Sequence, residues 1–196
     1  MIPGGRMETV MTRTQAWELV CEFTESDRLR KHALAVEAAM RGYARSFGED
    51  EEVWGTIGLL HDFDWEIHPT LEEHPGKGAE ILRDRGAKEW VIKAVLSHAE
   101  HTGVTRDTLL EKALFAVDEL SGFLVACALV RPSRSLTDIT PRSVKKKMKD
   151  KTFAAAVNRD DITRGAEELG VSLDEHIGNV ARFLAEREDE LGLGAP

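Results

Sequence analysis

The sequence predicts an all-α protein built as one bundle of helices. Apolar residues recur at spacings of three and four along most of the chain, the period of a helix with one buried face. Alternation with a period of two is nearly absent, and aromatic residues are only 6% of the total, so few segments favour a strand. Short groups of Gly, Pro, Ser, Thr, Asp and Asn separate the apolar stretches and supply caps and turns. At 196 residues the chain can bury a core that needs no covalent staples.

A first helix is expected from about Thr14 to Phe23. A second begins near Ser26 or Asp27, carries Leu29, His32, Ala33, Val36, Ala39 and Met40 on one stripe, and closes near Gly48 in a left-handed cap. A third spans about Glu51 to Leu60 and ends at the adjacent pair His61-Asp62. After a loop containing Pro69, Pro75 opens a short helix at a favoured first position, and Gly86 closes it. The fifth helix covers about Lys88 to Ala99, and the sixth, long and very apolar, covers about Thr108 to Val130. "RPSRSLTDIT" reads as a linker, after which Thr140-Pro141 starts a basic helix. A short helix then ends at Gly170, and Ser172 with Glu175 forms a capping-box pattern at the head of the last one. Residues 1–13 are expected to be a flexible tail, and translation could also begin at Met7 or Met11. Residues 14–190 form one domain, and the terminal "LGLGAP" is expected to fray.

No apolar run approaches the roughly 20 residues needed to span a bilayer, and the N-terminus lacks the apolar core of a secretory leader. The two cysteines, Cys21 and Cys127, lie in apolar helical patterns and read as buried, reduced thiols, which fits a cytoplasmic protein. The net charge of −9 argues against a broad basic surface for nucleic acid. The exception is "RSVKKKMKDK", with six basic residues against one acidic.

The chemistry begins at "GLLHDFDWEIH". An imidazole and a carboxylate stand side by side at the end of an apolar segment, and burying either without a partner costs several kcal/mol. A metal ion would satisfy both. Six of the seven histidines lie within the first 101 residues, and His32, His61 and His98 fall on or at the edge of apolar stripes. Histidine with carboxylate is a common transition-metal ligand set. Asp118, set among Leu114, Phe115, Val117 and Leu120, either reaches water at the helix edge or faces a cation; Ser121 and Gly122 leave room beside it.

The ordered set His32, His61-Asp62, Asp118 resembles the HD superfamily of metal-dependent phosphohydrolases, whose members hold metal in an all-helical bundle. "HPGKGAEIL" (74–82) and "VLSHAEH" (95–101) look like the segments that carry two further histidines in the two-metal branch. The resemblance implies a first metal on His32, His61 and Asp118, a second on His74 and His98, and Asp62 between them. It also implies an HD-type helical bundle over residues 14–190, with one or two divalent ions of Mn, Fe, Co, Ni or Zn. Trp65 stands where that branch often has Lys, and Ala99 where it often has a second His; His101 follows one turn later. The alternative for these residues is a satisfied buried polar network.

Around the ligands, Asp62 and His101 are the expected catalytic groups, His101 as a phosphate donor or outer acid. Lys77, Arg131 and Arg134 are the expected substrate contacts. Arg131 lies roughly 20 Å along its helix from Asp118, so it and Arg134 reach the substrate only if the following loop folds back. Lys77 and His101 are therefore expected to matter more. Asp64 and Glu66 either support a ligand histidine or form an exposed acidic loop. Lys145, Lys146 and Lys147 either bind phosphate or form a solvated face, and His68 and His176 read as surface residues. The function implied is hydrolysis of a phosphomonoester or phosphodiester, on a nucleotide or small phosphorylated metabolite, by a metal-activated hydroxide. The alternatives are a mixed-valent di-iron oxygenase of the same fold and a non-catalytic nucleotide-binding module.

Overall fold

Helix α1 (Arg13–Phe23) starts where Thr12 and Gln15 cap each other reciprocally, in a computed structural model that describes residues 11–194. Of the expected tail, residues 1–10 lie outside the described residues, whereas Thr12 and Arg13 already belong to α1 and its cap. Helix α2 (Asp27–Phe47) closes on Gly48 at φ 74°, and α3 (Glu51–Leu60) opens with the Asp50 carboxylate accepting from the Glu52 and Val53 amides. Helices α4 (Gly76–Asp84) and α5 (Glu89–Ser97) follow, then a single 3₁₀ turn over Glu100–Thr102. The long α6 (Leu109–Leu129) is fixed by a capping box between Thr108 and Glu111. Helix α7 (Pro141–Met148) has Pro141 in its first turn, and α8 (Arg159–Leu169) is capped by Asn158 and ended by Gly170 at φ 78°. Helix α9 (Leu173–Ala185) takes only the Ser172 half of the expected capping box, and a short α10 (Glu188–Leu191), not foreseen, ends the chain. No strand occurs among the described residues.

The bundle is organised around α2 and α6. Helix α2 packs against α3, α6 and α9, while α6 also takes α8 on its other side. Close approach there depends on small residues: a Cβ added at Gly165 of α8 would lie 2.6 Å from Cα of Ala116 in α6. One continuous cluster of buried side chains runs from Ala16 to Leu193, with Trp54, Tyr43, Phe63 and Phe123 the largest. A buried carboxylate ties the helices together: Glu37, fully buried, accepts from Arg13 at 2.6 Å and Arg41 at 2.8 Å, with Arg187 at 3.5 Å.

Three expectations are corrected. The C-terminal segment does not fray through residue 194. Leu191 and Leu193 are buried in the core, each contributing about 1.5–3 kcal/mol, and the Gly194 amide donates to the Arg134 carbonyl at 2.9 Å. Residues 195–196 lie outside the described residues. His176 is not a surface residue. It is fully buried, its Nδ1 2.6 Å from the Tyr43 hydroxyl and its Nε2 2.8 Å from the Ala116 carbonyl. Of the two free cysteines, Cys127 is buried but Cys21 is only half-buried.

Candidate metal centre

Two of the histidines are placed by the same local device. His61 follows the last residue of α3 and His98 the last residue of α5, and each turns its Nδ1–H back onto a carbonyl three residues earlier, that of Gly58 at 2.8 Å and that of Val95. Each ring thus satisfies one of the free carbonyls of its helix end. It also fixes the tautomer: with Nδ1 protonated, a neutral ring presents a lone pair at Nε2. His74, just before α4, is fixed the same way by a carboxylate. Its Nδ1 donates to Oδ1 of Asp64 at 2.9 Å, while Oδ2 of Asp64 accepts from the Gly78 amide at 2.9 Å. Gly78 makes this contact possible, since a Cβ there would lie 2.6 Å from Cγ of Asp64.

The Nε2 atoms converge on Asp62. Its Oδ1 lies 3.1 Å from His74 Nε2 and 3.2 Å from His98 Nε2, and those two nitrogens are 3.3 Å apart. Its Oδ2 lies 3.4 Å from His61 Nε2 and 3.9 Å from His32 Nε2. Oδ1 of Asp118 completes the second group, 3.0 Å from His32 Nε2 and 3.3 Å from His61 Nε2. Asp62 therefore turns one oxygen to each of two groups that could hold a metal ion: His32, His61, Asp62 and Asp118, and Asp62, His74 and His98.

The donor chemistry fits a cation. Three of these rings have their only proton committed at Nδ1, so neutral nitrogens face one another and the carboxylates with lone pairs alone. Hydrogen bonding cannot satisfy that arrangement without extra positive charge. The field shows the same demand. Burial disfavours a charged His61, but Asp62 and Asp118 outweigh it and hold the ring well above the usual histidine range. Burial likewise disfavours a charged His74, but its contacts with Asp62 and Asp64 push it up to about 9. Burial opposes ionisation of Asp62 and Asp118, yet the neighbouring histidines hold both carboxyls well below their usual range.

A cavity of about 630 Å³ opens on His32, Asp62, His74, His98 and Asp118. His101 stands at its rim, with Nε2 donating to the His74 carbonyl at 2.8 Å. Lys77 is not brought to the centre. It shares the first turn of α4 with Gly78, which occupies the inward position, and its ammonium pairs with Glu80 at 2.9 Å on the exposed face. Arg131 is also elsewhere, donating to the Asp138 carbonyl at 2.9 Å and the Ser143 hydroxyl at 2.8 Å to hold the linker. Arg134 does return, because the linker folds back against the C-terminal segment and places it in a cavity that His32 also lines.

Asp64 is no exposed loop residue but a fully buried support for His74. Glu66 instead accepts from the Glu25 and Ser26 amides ahead of α2. His68 is half-buried and stands 3.8 Å from Glu73. Lys145 pairs with Asp174, and Lys147 lies over Phe153, as a surface helix face would. Two residues that sequence reasoning passed over line the main cavity, Arg28 and Glu119. Arg28 is four residues before His32, the spacing of one helix face, and that signal was present in the sequence. Burial raises the Glu119 carboxyl, and the charge of Asp118 adds to the effect, bringing it to about 7.

A family model described as HD domain matches residues 29–122, a span that includes all six converging residues. The chain carries an HD domain. HD domains form a superfamily of metal-dependent hydrolases, and the helical architecture described above agrees with that fold. No solved structure matches the chain. The matched span begins just before His32 and ends just after Asp118, so α7 to α10, of which α8 and α10 line the cavities beside His32, lie outside it.

Proposed function

We propose that this protein is a metal-dependent phosphohydrolase acting on a phosphate ester of a nucleotide or small metabolite. The observation that carries the reading is Asp62, whose two carboxylate oxygens face separate sets of nitrogen and oxygen donors. Four imidazoles and two carboxylates suit Mn, Fe, Co, Ni or Zn better than Mg. Divalent ions held by these residues would lower the pKa of a water toward neutrality and neutralise phosphoryl oxygens.

The chain's own residues supply the rest. Asp62 orients both groups of donors, and Asp64 holds His74 in the tautomer that leaves Nε2 free. The centre lines a cavity of about 630 Å³ that gives substrate access to it. Glu119, beside Asp118 in that cavity, is the carboxyl best placed to carry a proton to the leaving oxygen.

Metal analysis of the protein as isolated, with a phosphatase and phosphodiesterase screen under anaerobic conditions with added Mn or Co, tests the reading. We expect bound transition metal, and phosphate release that His61→Ala and Asp62→Ala abolish together with the metal. Wild-type metal content in both variants refutes the ligand assignment. Dioxygen consumption without phosphate release refutes the hydrolase assignment.

A further inference from the structure

A second cavity, of about 400 Å³, adjoins the one that opens on the metal centre; Arg28, His32 and Gly122 line both. Its floor is apolar, made by Val125, Ala126 and Leu129 of α6 with Leu191 of α10, and three cations, Arg28, Lys31 and Arg134, stand around it with one carboxylate, Asp27. The register of α6 explains the continuity. Asp118, Gly122, Val125 and Leu129 fall at steps of four, three and four on one helix face, so the cavity extends about 10–16 Å along the axis from Asp118. Gly122 lies beside the His32 ring at the junction, where a Cβ would meet the ring at 3.7 Å, an ordinary contact.

Two of these three cations have no carboxylate partner among the described residues. In a chain with 35 acidic and 26 basic residues, most arginines have carboxylate partners. Among the described residues Arg28 has no ion pair or hydrogen bond, and Arg134 donates only to the Gly192 carbonyl, at 3.4 Å. Only Lys31 is paired, with Asp27 at 2.8 Å. Arg134 is further fixed in an uncommon backbone conformation, φ 49°, by the Gly194 amide on its carbonyl. A non-glycine residue in such a region is strained, and it persists where its surroundings over-determine it.

Building on the phosphohydrolase reading, we propose that this cavity is a distal substrate subsite. It takes a phosphate ester whose apolar body lies along α6 and ends in a second anionic group, received by Arg28 and Arg134. The reacting phosphate sits at the metal centre and the second anion at the far end of the same trough.

The test uses two probes that cannot be hydrolysed at an ester bond, hexylphosphonate and hexane bisphosphonate, binding to the metal-loaded protein by calorimetry. We expect wild type to bind the bisphosphonate tighter by about tenfold or more, the size of a charge-assisted contact. Arg134→Ala, outside the cavity that opens on the metal centre, should remove most of that difference while leaving metal content and hexylphosphonate binding unchanged, and adding Arg28→Ala should abolish it. Ala126→Phe, which fills the floor without touching a charge, should weaken both hexyl probes but not inorganic phosphate. The proposal is overturned if wild type shows no preference, or if Arg134→Ala weakens both probes equally. Turnover of the matching esters is scored separately: discrimination in binding with no phosphate release refutes the hydrolase reading and leaves the subsite standing.

Discussion

Asp64→Asn changes one atom and tests how the second group of ligands is held. In the wild type, Oδ1 accepts from His74 Nδ1 and Oδ2 accepts from the Gly78 amide, each at 2.9 Å, in a fully buried position. Asparagine has one acceptor and one donor. If its oxygen serves Gly78, its NH₂ faces His74 Nδ1 and moves the ring proton to Nε2, removing the lone pair aimed at Asp62. If its oxygen serves His74, two buried donors face each other at Gly78, at a cost of about 1–3 kcal/mol. Either outcome weakens the group formed by Asp62, His74 and His98 by about 10–100-fold in metal affinity, or roughly 1.4–2.8 kcal/mol. The group that includes His32, His61 and Asp118 keeps its own partners. Equilibrium dialysis with Co or Mn, fitted for two classes of site, should show one class weakened and the other unchanged. Unaltered affinity in both classes would refute the orienting role of Asp64, and equal loss in both would refute the separation into two groups.

Three further outcomes follow from the same structure. Glu119→Gln should slow an alkyl phosphate ester by about 100-fold or more, the usual worth of a general acid. It should barely affect p-nitrophenyl phosphate, whose leaving group needs no proton; equal effects on both esters would exclude proton delivery. Metal affinity should rise with pH from 7 to 9, because the proton on His74, held up to about 9 in the absence of metal, competes for Nε2. A flat profile from calorimetry at several pH values would count against His74 as a ligand. Burial depresses His176 to about 4, so it stabilises the fold above its unfolded value near 6.5 and loses that contribution as pH falls toward 4. About 3 kcal/mol is at stake, and urea midpoints measured from pH 7 to 4.5 should fall less steeply in His176→Gln than in wild type; parallel slopes would rule the histidine out.

The six candidate ligands were legible because each lies in or beside a helix whose apolar period is plain, and because His61-Asp62 put two polar groups where a core should be. The residues that escaped depend on contacts between distant segments. His176 looked solvated among Asp174, Glu175 and Gly178, yet its partners are Tyr43 and Ala116, on helices far away in sequence. Arg134 comes to His32 only through a positive φ at a non-glycine residue and a bond to the last turn of the chain, neither of which any propensity encodes. The terminal leucines read as a fraying end because their glycine neighbours favour turns; in fact those glycines let the chain fold back and bury them. Glu119 was overshadowed by Asp118, since the helical period assigns one of two adjacent carboxylates to the core and leaves the other unassigned.

Helices α3 and α5 both terminate at ligand histidines, so their carbonyl ends point into the same small volume. The aligned peptide dipoles place about half a negative charge at each end, added to the charges of Asp62 and Asp118. Such a volume attracts a divalent cation and repels a phosphate dianion until that cation has arrived. On the phosphohydrolase reading, loading would be ordered, metal first and substrate second, with the anion's affinity conditional on the metal's occupancy.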